Sequence, residues 1–164
     1  MALNRIWIPM IMVILLSVGP SLAAPSQIHD TSRRLYDRVM EEFKHRDYEA
    51  ALAGFRLFIE LHSHSALAAN AQYWIGECQY RMGRYKEALT SFSHVVSYYP
   101  LSPKLAASTL KLGQTYARLG DQENARMMFN RVLDQYPDSS EAELARKAID
   151  LMASKDDSTS QPPE

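Results

Sequence analysis

A 37-residue period runs through this chain. Ala51, Ala88 and Ala125 recur at that spacing, as do Phe55, Phe92 and Phe129. Gly76 and Gly113 lie one period apart, as do Gly83 and Gly120, Tyr48 and Tyr85, and the pairs Tyr99-Pro100 and Tyr136-Pro137. Between these marks apolar residues return every three or four positions. Leu35, Val39, Met40 and Phe43 form one such set, and Tyr48, Ala51, Leu52, Phe55, Phe58 and Ile59 another. This is the spacing of a single helix face. Helical hairpins repeated at this length cannot bury their apolar faces alone and must stack. The predicted fold is all-α: a solenoid of three helical hairpins plus a C-terminal capping helix. A stack of this kind presents a surface, which moves the question from catalysis to binding.

The punctuation between helices is specific. Gly83 and Gly120 suit the left-handed backbone position that closes a helix. Arg46-Asp47 reads as an interhelix turn with Asp47 as the next cap, and Ser102 as the cap of a helix begun by Pro103. Pro100 and Pro137 end the helices before them. The predicted helices within the second and third repeats are 68–82, 85–99, 103–119 and 122–136. A seventh spans 140–152, with Ser140 and Glu143 at capping-box spacing and Ala142, Ala145, Ile149 and Met152 on its apolar side. The repeats fall at about 33–64, 65–101 and 102–138, within a domain of 33–152. Ala51, Ala88 and Ala125, with Gly76 and Gly113, let the helices of each hairpin approach closely. The recurring phenylalanines fill the space between hairpins.

Both ends read differently from the middle. Residues 1–23 have the plan of a signal peptide: Arg5, the apolar run Ile6 to Val18, and Ser21-Leu22-Ala23 before the expected cleavage point. The run is too short for a bilayer core of about 30 Å, and no cysteine follows it to carry a lipid anchor. The expected location is therefore the periplasm. Residues 24–32 read as a short leader and 153–164 as a disordered tail without apolar periodicity. Loss of Arg5 would take the net charge from −1 to −2, which gives bulk electrostatics no purchase on nucleic acid. The lone cysteine, Cys78, has no internal partner and reads as a small buried hydrophobe.

The repeat spacing resembles the tetratricopeptide repeat. The second copy carries Gly76, Ala88, Phe92 and Pro100 at the pattern positions, and the third Gly113, Tyr116, Ala125, Phe129 and Pro137. The first has Ala51 and Phe55, but Val39 stands at the glycine position and Ser63 at the proline position. Ala71-Gln72-Tyr73-Trp74-Ile75-Gly76-Glu77 and Leu110-Lys111-Leu112-Gly113, with the signal peptide, are similar to the C-terminal repeat domain of the periplasmic cell division coordinator associated with the Tol-Pal system. That resemblance implies an adaptor that contacts envelope proteins and coordinates cell-wall synthesis with outer-membrane constriction. The leader has no room for that family's trimerising coiled coil, so the expected state is a monomer or weak dimer, with Tyr36 and Phe58 offering an uncovered end face. The alternatives are a peptidoglycan-associated scaffold and a structural subunit of an outer-membrane assembly or secretion complex.

Within the tetratricopeptide resemblance, the first helix of each hairpin lines a groove. The groove positions fall on Tyr36 and Phe43 in the first repeat, Asn70, Tyr73, Glu77, Tyr80 and Arg81 in the second, and Leu110, Gln114 and Arg118 in the third. Aromatic rings edged by charge suit an extended or helical peptide. Arg33, Lys44, Arg81 and Arg118 are candidate anion contacts. The clamp some family members use for a terminal carboxylate does not fit, because Tyr73, Glu77 and Leu110 stand where basic or amide groups are required. Trp74 is expected to pack the stack. Catalysis, cofactors and metals are not expected. His62-Ser63-His64 supplies two imidazoles where a zinc site wants three or four ligands, and no phosphate loop or nucleophile–base spacing occurs.

Overall fold

The computed structural model describes residues 25–159. Among them are seven helices and no strand: α1 Pro25–Lys44, α2 Tyr48–Leu61, α3 Ala68–Arg81, α4 Tyr85–Tyr98, α5 Leu105–Arg118, α6 Gln122–Gln135 and α7 Ser140–Thr159. Each helix packs on the next, and α7 also reaches α5. The result is an all-α solenoid of paired antiparallel helices closed by a final helix. The segment read as a signal peptide lies outside the described residues.

Helix ends depart from the sequence reading in places with a local cause. The stretch 25–32 belongs to α1 rather than to an unstructured leader. Pro25 sits at the first helical position, where its fixed φ is already helical, and no glycine or proline interrupts the chain up to Lys44. For the same reason α7 continues past Met152 to Thr159. Ser102 does not cap a helix beginning at Pro103. Its Oγ accepts from the Lys104 amide at 3.0 Å in a turn, and α5 starts at Leu105. At the start of α7 the amide of Ala142 donates to Ser139 Oγ at 3.1 Å, so Ser139 fills the role expected of Ser140. Asp47 does cap α2, accepting from the Ala50 amide at 3.1 Å, and Asp121 caps α6 in the same way.

The core is three aromatic clusters in series. Phe55 and Phe58 anchor the first, Phe92 the second and Phe129 the third. Gly76 and Gly113 create room for the last two rings: a Cβ at either would lie 2.6 Å from Cε1 of Phe92 or Phe129. Tyr36 stacks edge-on against Phe55 and Phe58, each at 5.6 Å, and all three rings are buried. The end face expected from Tyr36 and Phe58 is therefore closed. Their hairpin covers itself, because α1 lies across α2. Trp74 packs between Phe43 at 4.8 Å and Tyr73 at 5.3 Å. Cys78 is buried, and burial pushes its thiol up to about 12, with the Glu77 charge adding to the effect. Such a thiol is packing material rather than a nucleophile.

Candidate functional site

Helices α3 and α5 are neighbours on one face of the stack, and their side chains meet across it. Tyr73 and Tyr80 are seven residues apart on α3, and Lys104 at the N-cap of α5 is spaced by seven from Lys111, and Lys111 from Arg118, within that helix. Seven residues is close to two helical turns, so each set stays on one side. The sets then pair. The Lys104 ammonium lies 5.1 Å from the Tyr73 ring centre and 5.7 Å from that of Trp74. Lys111 stands 5.0 Å from the centre of the Tyr80 ring. Arg118 Nε donates to Tyr80 Oη at 3.4 Å. Cations over aromatic faces gain about 0.5–2 kcal/mol, more as water is removed.

Glu77 sits between the two tyrosines and is 3% exposed. A carboxylate this buried needs a counter-charge. Lys111 Nζ supplies it at 2.7 Å from Oε1, an ion pair whose direction is not that of a formed hydrogen bond. Arg81 Nε is further away, 3.9 Å from the other oxygen. The Tyr73 hydroxyl is held far above the ordinary phenol range, by burial first and then by the Glu77 and Glu141 charges. Helix α7 also packs on α5, and the Glu141 charge in its first turn acts on Tyr73.

The structure divides the residues expected to line the groove. Tyr36, Tyr73, Glu77 and Leu110 are buried. Tyr73 contacts the Phe92 ring at 5.7 Å and Leu110 belongs to the cluster around Phe129. Phe43 is half-buried against Tyr48 and Trp74. Asn70, Tyr80 and Gln114 are half-buried, and Arg81 and Arg118 are exposed. The Asn70 Oδ1 is enclosed without a hydrogen-bond partner. The open part of the face is thus Tyr80, Arg81, Gln114 and Arg118. Sequence reasoning passed over Lys104 and Lys111, although their seven-residue step to Arg118 matches the step from Tyr73 to Tyr80. It also passed over Leu144 and Leu151. Carrying the period one copy further puts them at the positions of Asn70 and Glu77, and both are exposed on α7.

Residues 67–138 match the tetratricopeptide repeat family. The type III secretion translocator chaperone SycD of Yersinia enterocolitica, in complex with a peptide of the translocator YopD, is similar in structure. Its TM-score is 0.65 at 17% identity, over 80% of this chain and 96% of that one. The N-terminal domain of stress-induced protein-1 from C. elegans matches with a TM-score of 0.60 at 17% identity, over 73% and 95% of the two chains. The second tetratricopeptide domain of human RPAP3, in complex with an HSP70 peptide, matches with a TM-score of 0.59 at 20% identity, over 76% and 97%. At these identities the likeness is one of fold. No curated protein matches the chain.

These findings correct the periplasmic placement. The matched structures are a secretion chaperone, a stress-induced protein and RPAP3, none of them described as periplasmic. They share the fold and do not single out the Tol-Pal coordinator, so a role tied to that system and to the envelope is set aside. What stands is an all-α, tetratricopeptide-like solenoid of paired antiparallel helices with a final capping helix. Among the described residues no group of three or more His, Cys, Asp or Glu could hold a metal ion, His62 and His64 included.

Proposed function

We propose that the chain is an adaptor that holds an extended or helical peptide segment of another protein on the α3–α5 face. The observation that carries this reading is the open strip of Tyr80, Arg81, Gln114 and Arg118, set on a rigid and fully packed floor. Tyr73, Glu77 and Leu110 form that floor, so a ligand meets pre-positioned groups and orders little on binding. Exposed Leu144 and Leu151 on α7 extend the strip with apolar surface. SycD was solved with a peptide of YopD and RPAP3 with a peptide of HSP70, which supports a peptide as the ligand class. The SycD likeness also favours a second reading, a subunit serving a secretion complex, in which the same face would receive a segment of the exported protein.

The test is selection of peptides from a random dodecapeptide library on the folded protein, with Tyr80→Ala as the comparison. Tyrosine and arginine carry a large share of interface energy. Tyr80→Ala is expected to weaken selected peptides by about 2 kcal/mol, roughly thirty-fold. Its melting point should move far less than that of Phe92→Ala, because Tyr80 is only half-buried while Phe92 is fully enclosed. Peptides that bind Tyr80→Ala and the parent protein equally would place the ligand elsewhere.

A further inference from the structure

The groove face holds more cations than it neutralises. Lys44, Arg81 and Arg118 occupy the same repeat position, each in the last turn of a groove-lining helix. The helix dipole explains why a cation is tolerated there, at about 0.3–1 kcal/mol, but it does not cancel the charge. The carboxylates are unevenly shared. Lys44 has Glu41 at 2.6 Å. Glu77 gives one oxygen to Lys111 at 2.7 Å and leaves Arg81 at 3.9 Å. Lys104 and Arg118 face tyrosine rings and a tyrosine hydroxyl, and among the described residues neither forms an ion pair. At the Lys104 end the Glu141 charge near Tyr73 moderates the excess. At the Arg118 end the carboxylate paired among the described residues is Glu77, 3.9 Å from Arg81 and already held by Lys111, and both guanidinium groups there are open to solvent.

We propose that the groove selects an acidic segment: a side-chain carboxylate of the bound peptide pairs with Arg118 and Arg81 beside the Tyr80 ring. The proposal rests on the peptide-binding reading above and adds the chemistry of the ligand. Arginine offers a planar fork that meets a carboxylate with two parallel hydrogen bonds. Lys111, fixed by Glu77 on the ring of Tyr80, adds positive potential without being consumed by the ligand. Glu77 is thereby a positioning residue. The carboxylate recognised belongs to an Asp or Glu side chain, since Tyr73, Glu77 and Leu110 stand where a clamp for a chain terminus requires basic or amide groups.

The experiment uses the full chain and a random dodecapeptide library displayed as N-terminal fusions, so that no free C-terminus is offered. Enriched sequences are expected to carry Asp or Glu at a recurring offset from an apolar residue. The strongest of them, synthesised with its Glu or Asp exchanged for the amide, should bind about tenfold more weakly at low salt. That gap should close to about twofold in the doubly substituted protein Arg81→Gln/Arg118→Gln, and should shrink in the parent protein as added salt shortens the Debye length from about 10 Å at 0.1 M. Circular dichroism of the variant should be unchanged, because both side chains are exposed. Enrichment without acidic residues overturns the proposal, and so does an acid-to-amide gap that survives the double substitution. If no sequence is enriched above the Tyr80→Ala control, the peptide-binding reading itself fails, and the acidic preference with it.

Discussion

Replacing Gly76 by alanine puts a methyl group where the Phe92 ring already lies. The added Cβ would stand 2.6 Å from Cε1, 2.8 Å from Cδ1 and 2.9 Å from Cζ, whereas carbon atoms settle about 3.5–4.0 Å apart. The ring cannot step aside, since Phe92 is fully buried among Tyr73, Ala88, Val95 and Leu112. Two effects compete. Alanine is the better helix former by about 1 kcal/mol, and overpacking a filled core costs about 1–3 kcal/mol. The ring is stiff and enclosed, so the steric effect should win, leaving a net loss of about 1 kcal/mol or more. Urea denaturation reads this as a lower midpoint at unchanged slope. Phe92→Leu removes the clashing ring atoms. In the double variant the two changes should couple favourably by about 1 kcal/mol or more. A Gly76→Ala midpoint at or above that of the parent protein, or an absence of coupling, would refute the close-approach argument and leave helix propensity as the only effect at this site.

Arg46 has φ 64°, in the left-handed region that Gly83 and Gly120 occupy one and two periods later; Arg46→Gly should raise stability by about 0.5–1 kcal/mol in a thermal melt, and a lower melting point would show that the arginine side chain holds the turn. Lys111→Met strands the buried Glu77 charge and should cost about 3 kcal/mol or more; combining it with Glu77→Gln should recover much of that loss, and a single variant as stable as the parent would mean that the pair is not desolvated. Burial pushes the Tyr36 phenol up to about 12, the largest of its influences. The folded state therefore keeps that proton when the unfolded chain, with a value near 10, has begun to lose it. The contribution is fully present below about pH 10, falls between about pH 10 and 12, and amounts to about 2–3 kcal/mol. Tyr36→Phe should flatten that alkaline limb, and equal alkaline loss in both proteins would assign it elsewhere.

The Val39 position shows how far the sequence could be read. Set against Gly76 and Gly113, Val39 looks like a defect in the first repeat. In the fold the small residue has changed helices. A Cβ on Gly54 of α2 would lie 2.5 Å from Val39 Cγ2, so the close approach persists with the glycine on the opposite side. A linear pattern compares each position with its own copies and cannot register an exchange between two helices. The groove illustrates the same limit. Tyr73 and Tyr80 share a helix side and a residue type, and periodicity gives them equal standing. Tyr73 is covered because Lys104 crosses it and Phe92 lies behind it. Tyr80, one repeat position from the helix end, keeps an open edge beside Arg81 and Arg118.

The recurrence of Ala, Gly and Phe at a single spacing determined by itself that the chain forms helical hairpins and stacks them, because those residues set how closely two helices can approach wherever they recur. The glycine turns and the Asp47 cap are equally local, depending on the φ or the side-chain reach of one residue. Which groove residues face solvent, and which cations lack a carboxylate, was decided only by the tertiary structure. Exposure and ion pairing at α3 depend on what α5 and the turn before it lay across it. Those side chains lie roughly thirty residues or more away in sequence and meet only when the stack is closed.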